Sequence, residues 1–185
     1  QWSTNLIEQF DDGQRQQIND QYGIGMLTTD VRSITPTDSR SLLIDSGAMI
    51  HVCPRSFAPD HPIISPNGNE PLCQTADGKP LPTYGTKLVP LEFNDTVRVW
   101  LKFLVTDVTS PILSVPMLQR YGCSTYVLSN GENYIRFPDD PNNPVRFECN
   151  EGSYLVTPKR IAPRHEVYQD IQRVMAMTIA PAAFN

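Results

Sequence analysis

Hydrophobic and polar residues alternate along the middle of this chain with the two-residue period that is typical of β-strands. The alternation is clearest over residues 97–105, where every second position is apolar: Val97, Val99, Leu101, Phe103 and Val105. Such a run of β-branched and aromatic residues predicts a strand with one face on a core. Further strands are predicted at 88–91 and at the short aliphatic runs 42–44 and 112–113.

The pattern changes beyond residue 114. Residues 115–121 predict one or two helical turns that end at Gly122. Two β-hairpins are predicted between residues 124 and 157, with turns at 129–132 and 150–152. Near the end of the chain, apolar residues recur at helical spacing and predict an amphipathic helix over 163–178, with Val167, Ile171, Val174, Met175 and Thr178 on its apolar face.

These elements divide the chain into four segments. Residues 1–39 are polar and weakly patterned, so we expect an N-terminal arm or linker with at most two short helices, at 3–10 and 14–22. We expect a β core at 40–122, a β-hairpin extension at 123–160, and the amphipathic helix and tail at 161–185. The 17 prolines and 10 glycines break the sequence into short pieces, which favours an all-β fold.

Charge and cysteine content narrow the functional classes. The formal net charge of -5, with Lys and Arg scattered, disfavours nucleic-acid binding, which needs a concentrated cationic surface. No apolar run reaches the roughly 18 residues of a membrane span. The four cysteines include no C-x-x-C pair and no secretory signal precedes them, so we expect free thiols in a reducing, cytoplasmic location. A chain that opens at Gln1 rather than Met fits a segment released from a longer polypeptide.

One acidic residue stands where a strand is expected to be buried. Asp45 follows the aliphatic run 42–44 and opens the loop Asp45-Ser46-Gly47-Ala48. A carboxylate at the end of a buried strand carries a desolvation cost, which a catalytic aspartate at the floor of a cleft would justify. In that interpretation the Ser46 hydroxyl braces the turn, and Gly47 lets another segment approach closely. The competing interpretation is an ordinary Asp-Ser-Gly turn.

Two downstream features favour the catalytic interpretation. The first is a predicted hairpin with a polar tip, which can fold over a cleft as a flap. Its tip contains Ala76, Asp77, Gly78 and Lys79, and Pro80, Pro82 and Gly85 follow. Alone, the same residues would fit any surface hairpin. The triplet Ile112, Leu113 and Ser114 places a small residue after an apolar pair at the start of the predicted helix.

Taken together, these three motifs resemble those of a retropepsin: the active-site triplet at Asp45, the flap at Asp77 and the apolar-apolar-small motif that ends at Ser114. More narrowly, the chain resembles the protease of copia-type retrotransposons, since His51 follows the triplet, and Leu118 and Gly122 follow the second motif. A gypsy-type origin stays open, because Pro82-Thr83-Tyr84-Gly85 suits that flap equally well. The resemblance covers roughly residues 40–157, and many retropepsins carry Gly at the position of Ser114.

The resemblance implies a fold and a mechanism. The fold would be all-β, a retropepsin-like closed β-barrel with one lobe per chain. The mechanism needs two carboxylates, and the chain contains a single Asp-Ser-Gly triplet. A homodimer would therefore supply the second Asp45 by symmetry. The implied substrate is a peptide bond of the enzyme's own polyprotein, cleaved inside the cell, for instance within a virus-like particle. No cofactor and no metal are implied, and cleft walls are expected at Met49, Ile50, Ala76, Asp77, Gly78 and Ile112.

Four alternatives differ in kind from the aspartic protease. The main rival is a non-catalytic retropepsin-like module for dimerisation or peptide binding. A capsid-like or nucleic-acid-binding piece of a polyprotein comes next, although the negative charge argues against it. A zinc site built from His51, Cys53 and Cys73 lacks a second closely spaced ligand pair, and no motif organises these residues as a cysteine nucleophile.

Overall fold

The computed structural model describes residues 24–26, 36–66 and 70–161, in which the chain forms fifteen strands and one helix. In chain order the elements are β1 (Ile24–Met26), β2 (Pro36–Ser39), β3 (Leu42–Asp45), β4 (Val52–Cys53), β5 (Cys73–Gln74), β6 (Pro80–Leu81), β7 (Thr83–Glu92), β8 (Arg98–Thr106), β9 (Ile112–Ser114), α1 (Val115–Tyr121), β10 (Ser124–Tyr126), β11 (Tyr134–Arg136), β12 (Val145–Arg146), β13 (Glu148–Asn150), β14 (Ser153–Val156) and β15 (Lys159–Ile161). The predicted strands at 42–44, 88–91, 97–105 and 112–113 and the predicted helix at 115–121 are confirmed.

Ten strands form one large sheet. Its order is β13-β14-β3-β9-β4-β8-β7-β15-β2, with β1 paired to β8. Two smaller sheets contain β10-β11-β12 and β5-β6. The large sheet curls into a half-barrel, and its path of paired strands has two ends, at β13 and β2. The described residues thus form a mostly β structure, but their open sheet differs from the expected closed barrel.

The core surrounds the long hairpin of β7 and β8. These strands pair from Thr83–Thr106 to Glu92–Arg98. All five alternating residues of the predicted strand at 97–105 are fully buried. Trp100 and Leu104, on the opposite face of β8, are also buried, so the strand is covered on both sides. The apolar alternation therefore located the strand correctly but understated its burial.

Strands of the segment expected as a β-hairpin extension belong to the large sheet. β14 pairs with β3, the strand that ends at Asp45, and β15 lies between β7 and β2. Ile135, Phe137 and Phe147 are buried in the common core. The reason is that this segment carries large apolar residues that need cover. Its second turn matches the predicted position at 150–152, since Glu151 and Gly152 both have positive φ, as a tight hairpin requires.

The N-terminal segment also contributes to the sheet. β1 pairs with β8 at Val99–Leu101, and β2 pairs with β15. The polar sequence of residues 1–39 did not predict these strands. The helices expected at 3–10, 14–22 and 163–178 lie outside the described residues. In the part of the chain described, no helix is long and apolar enough to cross a membrane.

Candidate functional site

The strand order places the Asp45 loop over the end of another strand. β9 lies between β3 and β4, because it is parallel to β3 and Ile112 also pairs with Val52 of β4. In the parallel pair, Asp45 is the register partner of Ser114. Residues 46–51 connect β3 to β4, so this loop must cross the end of β9 at Ser114. The crossing explains why a small residue is required there.

The Asp45 carboxylate lies at the end of β3, partly exposed, and organises its own loop. Its Oδ1 accepts a hydrogen bond of 2.7 Å from the backbone N–H of Gly47. A Cβ at position 47 would lie 3.3 Å from the same oxygen, which is tighter than most such contacts. Gly47 therefore suits this loop, while Ser46 is exposed. The bracing expected from Ser46 comes instead from Gly47 and Ser114.

Ser114 ties the loop to the helix behind it. Its side chain is fully buried, and its hydroxyl donates to the carbonyl of Ala48 at 2.6 Å. The same oxygen accepts from the backbone N–H of Met117 at 3.2 Å and so caps the first turn of α1. Gly122 caps the C-terminal end of the helix, and its φ of 105° suits a glycine. Serine in place of glycine thus adds two hydrogen bonds at the same site.

His51 completes the support of the loop from its far end. The imidazole is buried, and its Nδ1 accepts from the backbone N–H of Ser114 at 2.9 Å. Its own carbonyl accepts from the N–H of Leu104 at 2.9 Å. Burial lowers the pKa of His51 to about 3, so the ring is neutral at physiological pH. The sequence placed His51 in a family motif but did not indicate this hydrogen bond.

The predicted flap residues form a hairpin of their own. β5 and β6 pair, and the tip spans residues 75–79. Asp77 accepts a hydrogen bond from the Thr75 hydroxyl and forms an exposed ion pair with Lys79 at 2.9 Å. These partners lower the pKa of Asp77. Ala76 and Gly78 are exposed beside them, and Gly78 has a φ of 83°. Within the described ranges, no hydrogen bond joins this tip to the Asp45 loop.

The base of the hairpin is held by a close backbone approach. Gly85 has a φ of 128°, and a Cβ there would lie 2.1 Å from the carbonyl oxygen of Ile64. That carbonyl accepts from the N–H of Thr86 at 2.9 Å. On the other side, the Thr106 hydroxyl donates to the carbonyl of Pro82 at 2.6 Å. The sequence singled out Gly85 as part of the flap, and the structure shows why glycine is needed.

A buried lysine that the sequence did not single out supports the segment after β4. Lys87 is 2% exposed, and its Nζ donates to the carbonyls of Arg55, Phe57 and Ala58 at 2.9, 2.7 and 3.2 Å. Desolvation lowers its pKa. The available signal was a single cation in the otherwise uncharged stretch between Thr83 and Leu91. Three converging carbonyls explain how the ammonium is accommodated there.

The residues expected to form the walls of the cleft lie only partly close together in a single chain. Met49 is 63% exposed at the loop after Asp45, whereas Ile50 and Ile112 are half-buried. They lie on the connection and the strand that surround Asp45. The hairpin residues lie on a different sheet. One chain therefore presents the Asp45 loop and the hairpin as two separate structures.

The cysteines and histidines do not form a metal site in the part of the chain that the structure covers. No group of three or more potential ligands lies close together there. All four cysteines are free, and burial raises the pKa of Cys53 to about 12, which keeps its thiol protonated. The Nδ1 of His51 is engaged by Ser114. The zinc alternative for His51, Cys53 and Cys73 thus gains no support from these contacts.

The chain was compared with protein-family models, curated proteins and solved structures. No match was found in any of the three. Assignment of a function to this chain therefore depends on the residues around Asp45.

Proposed function

We propose that this chain is a retropepsin-like aspartic endopeptidase of the copia retrotransposon type, active as a homodimer. The observation that supports it best is the presentation of Asp45. Its carboxylate stands at the open end of β3 in register with Ser114, with an oxygen held by the Gly47 amide. A fixed, partly exposed carboxylate on a loop braced from below is what activation of a water molecule requires.

The chemistry would be shared by two such carboxylates. Placed about 3 Å apart, they cannot both be ionised, so the pair holds one proton over a wide pH range. The ionised partner takes a proton from the water, and the protonated partner polarises the scissile carbonyl. The chain has one Asp-Ser-Gly triplet, so the second carboxylate would be Asp45 of another copy.

The proposed substrate is an extended peptide of the parent polyprotein. Such a peptide can add as a strand, with backbone hydrogen bonds for affinity and alternating pockets for specificity. The exposed Met49 and the partly exposed Ile112 offer apolar surface near Asp45. The exposed hairpin tip at 75–79 would fold over the bound peptide. Four free thiols fit a reducing, intracellular place of action.

The proposal is tested with the full chain and a library of unstructured peptides at mildly acidic pH. Mass spectrometry would identify cleaved bonds, and analytical ultracentrifugation would give the assembly state. We expect a dimer that cleaves, and an Asp45→Asn variant that still dimerises but has lost activity by at least about 10²-fold. Cleavage that persists in this variant would contradict the proposal. A dimer that cleaves nothing would favour the non-catalytic module.

A further inference from the structure

We propose that His51 is a positioning residue for the Asp45 carboxylate, acting as a neutral imidazole whose Nδ1 holds the buried backbone N–H of Ser114. The inference rests on the proposed function, because it assigns His51 a part in the same reaction. The hydrogen bond between His51 and Ser114 can be tested whether or not the chain cleaves peptides.

The loop that carries Asp45 lies across the end of β9. Residues 46–51 leave β3 at Asp45, cross the end of β9 and enter β4, so both ends of the loop adjoin strands that pair with β9. Ser114 binds this loop twice. Its hydroxyl holds the middle at the Ala48 carbonyl, and its amide holds the far end at His51. Ser114 of β9 therefore determines how the loop that carries Asp45 is positioned over the end of that strand.

The buried backbone N–H of Ser114 needs a hydrogen-bond acceptor. Ser114 is 0% exposed and lies at the junction between β9 and α1. Its N–H has no hydrogen-bond acceptor within the first turn of the helix. A buried N–H without an acceptor costs about 1–3 kcal/mol, so the junction needs one. His51 Nδ1 is that acceptor, at 2.9 Å. Without it, the junction would have to move toward another acceptor, and Ala48 would move with it.

The hydrogen bond from Ser114 determines which nitrogen of His51 carries a proton. A nitrogen that accepts from an N–H carries no proton, so the single proton of the neutral ring must be on Nε2. Nε2 is buried, and no hydrogen-bond partner for it lies among the described residues. The centroid of its ring lies 6.0 Å from that of the Phe103 ring. An imidazolium would donate from both nitrogens and would lose the bond to Ser114, so only the neutral ring can position the loop.

Two substitutions separate positioning from packing. The side-chain oxygen of His51→Asn can occupy the place of Nδ1 and accept from Ser114, whereas His51→Leu has a similar size and no acceptor. We expect His51→Leu to fold but to lose kcat by about 10²-fold with KM little changed, because small misplacement of a reacting group is costly. We expect His51→Asn to recover most of that loss. A residue that only fills space would show the reverse order or no difference.

Nitrogen NMR of the full chain tests the bond independently of activity. Correlations between the carbon-bound ring protons of His51 and its two nitrogens report which nitrogen carries the proton. We expect the Nε2–H form, with the Ser114 amide protected from hydrogen exchange. If the wild-type chain cleaves nothing but shows this tautomer, the proposed function fails and the hydrogen bond stands. An Nδ1–H tautomer would overturn the inference, as would full kcat in folded His51→Leu. Equal losses in folded His51→Asn and His51→Leu would overturn it too. If neither variant folds, the tautomer of the wild-type chain decides.

Discussion

Asp45 and Ser114 stand opposite each other at the ends of two parallel strands, and the loop that begins at Asp45 returns over Ser114. The same serine contacts that loop through its hydroxyl and its amide, and it is the N-cap of α1. A change at the floor of the site is therefore transmitted to the loop by hydrogen bonds. This relationship makes Ser114 the first place to test the account by mutation.

Replacing Ser114 with alanine should destabilise the fold measurably. The variant loses the cap of α1 and the part-buried hydrogen bond to the Ala48 carbonyl. We expect the free energy of unfolding to fall by about 1–3 kcal/mol. Urea unfolding of the wild type and the variant, at one protein concentration, measures the difference.

The matched control is Ser129→Ala. Ser129 is exposed in the loop between β10 and β11. Its replacement should change the free energy of unfolding by no more than about 0.5 kcal/mol. If both alanine variants were equally stable, the hydroxyl of Ser114 would have no structural role.

The sequence predicted local elements well because their signals are local. The alternation at 97–105 and the helix that starts after Ser114 depend on neighbouring residues, and both are present in the structure. Strand order is different, since it depends on contacts between distant residues. The pairing of β14 with β3, and the entry of β1 and β2 into the sheet, have no local signal.

Gly85 offers a second prediction, at the base of the hairpin. An alanine there would have an unfavourable φ and would place its Cβ 2.1 Å from the Ile64 carbonyl oxygen. The backbone must shift, because the obstacle is another backbone. We expect Gly85→Ala to lower the free energy of unfolding by about 3 kcal/mol or more.

Gly131→Ala separates the clash from the backbone strain. Gly131 also has a positive φ, of 80°, but a Cβ there would meet nothing within 4 Å. This variant should cost only about 1–2 kcal/mol, from the left-handed conformation alone. Thermal and urea unfolding of the two variants side by side would measure the difference, and equal costs would contradict the close approach of Ile64 to Gly85.

The buried imidazole predicts how stability depends on pH. The unfolded chain binds a proton on His51 below the ordinary pKa of 6.5, while the folded chain stays neutral down to about 3. The unfolded state therefore holds more protons in this window, and stability falls as the pH falls. The slope from this residue is at most about 1.4 kcal/mol per pH unit.

The effect is isolated by comparison with His51→Asn, which cannot titrate. Asp60, His61 and Asp77 also have lowered pKa values, but they are present in both proteins, so their contributions cancel in the difference. Urea unfolding from about pH 7 to about pH 4 should show the stability advantage of wild type shrinking toward acid. A difference that stays constant with pH would show that His51 is not buried as a neutral ring.

The candidate site illustrates where residue patterns stop being informative. The triplet at Asp45 marked the loop, because a carboxylate after three aliphatic residues is conspicuous. The sequence could not predict the support of that loop by His51, because the hydrogen bond joins two residues 63 positions apart. Lys87 was missed for the same reason: its three carbonyl partners lie 29 to 32 residues away. These interactions depend on strand order, which only the folded chain displays.

The central claim is a catalytic pair made from one Asp45 of each of two chains, and subunit mixing tests it most directly. Wild-type chain and Asp45→Asn chain would be combined in equal amounts, allowed to exchange subunits, and assayed at constant total protein. If both carboxylates are required, random pairing leaves about a quarter of the wild-type rate. A chain that acts alone would retain about half, and that result would contradict the account.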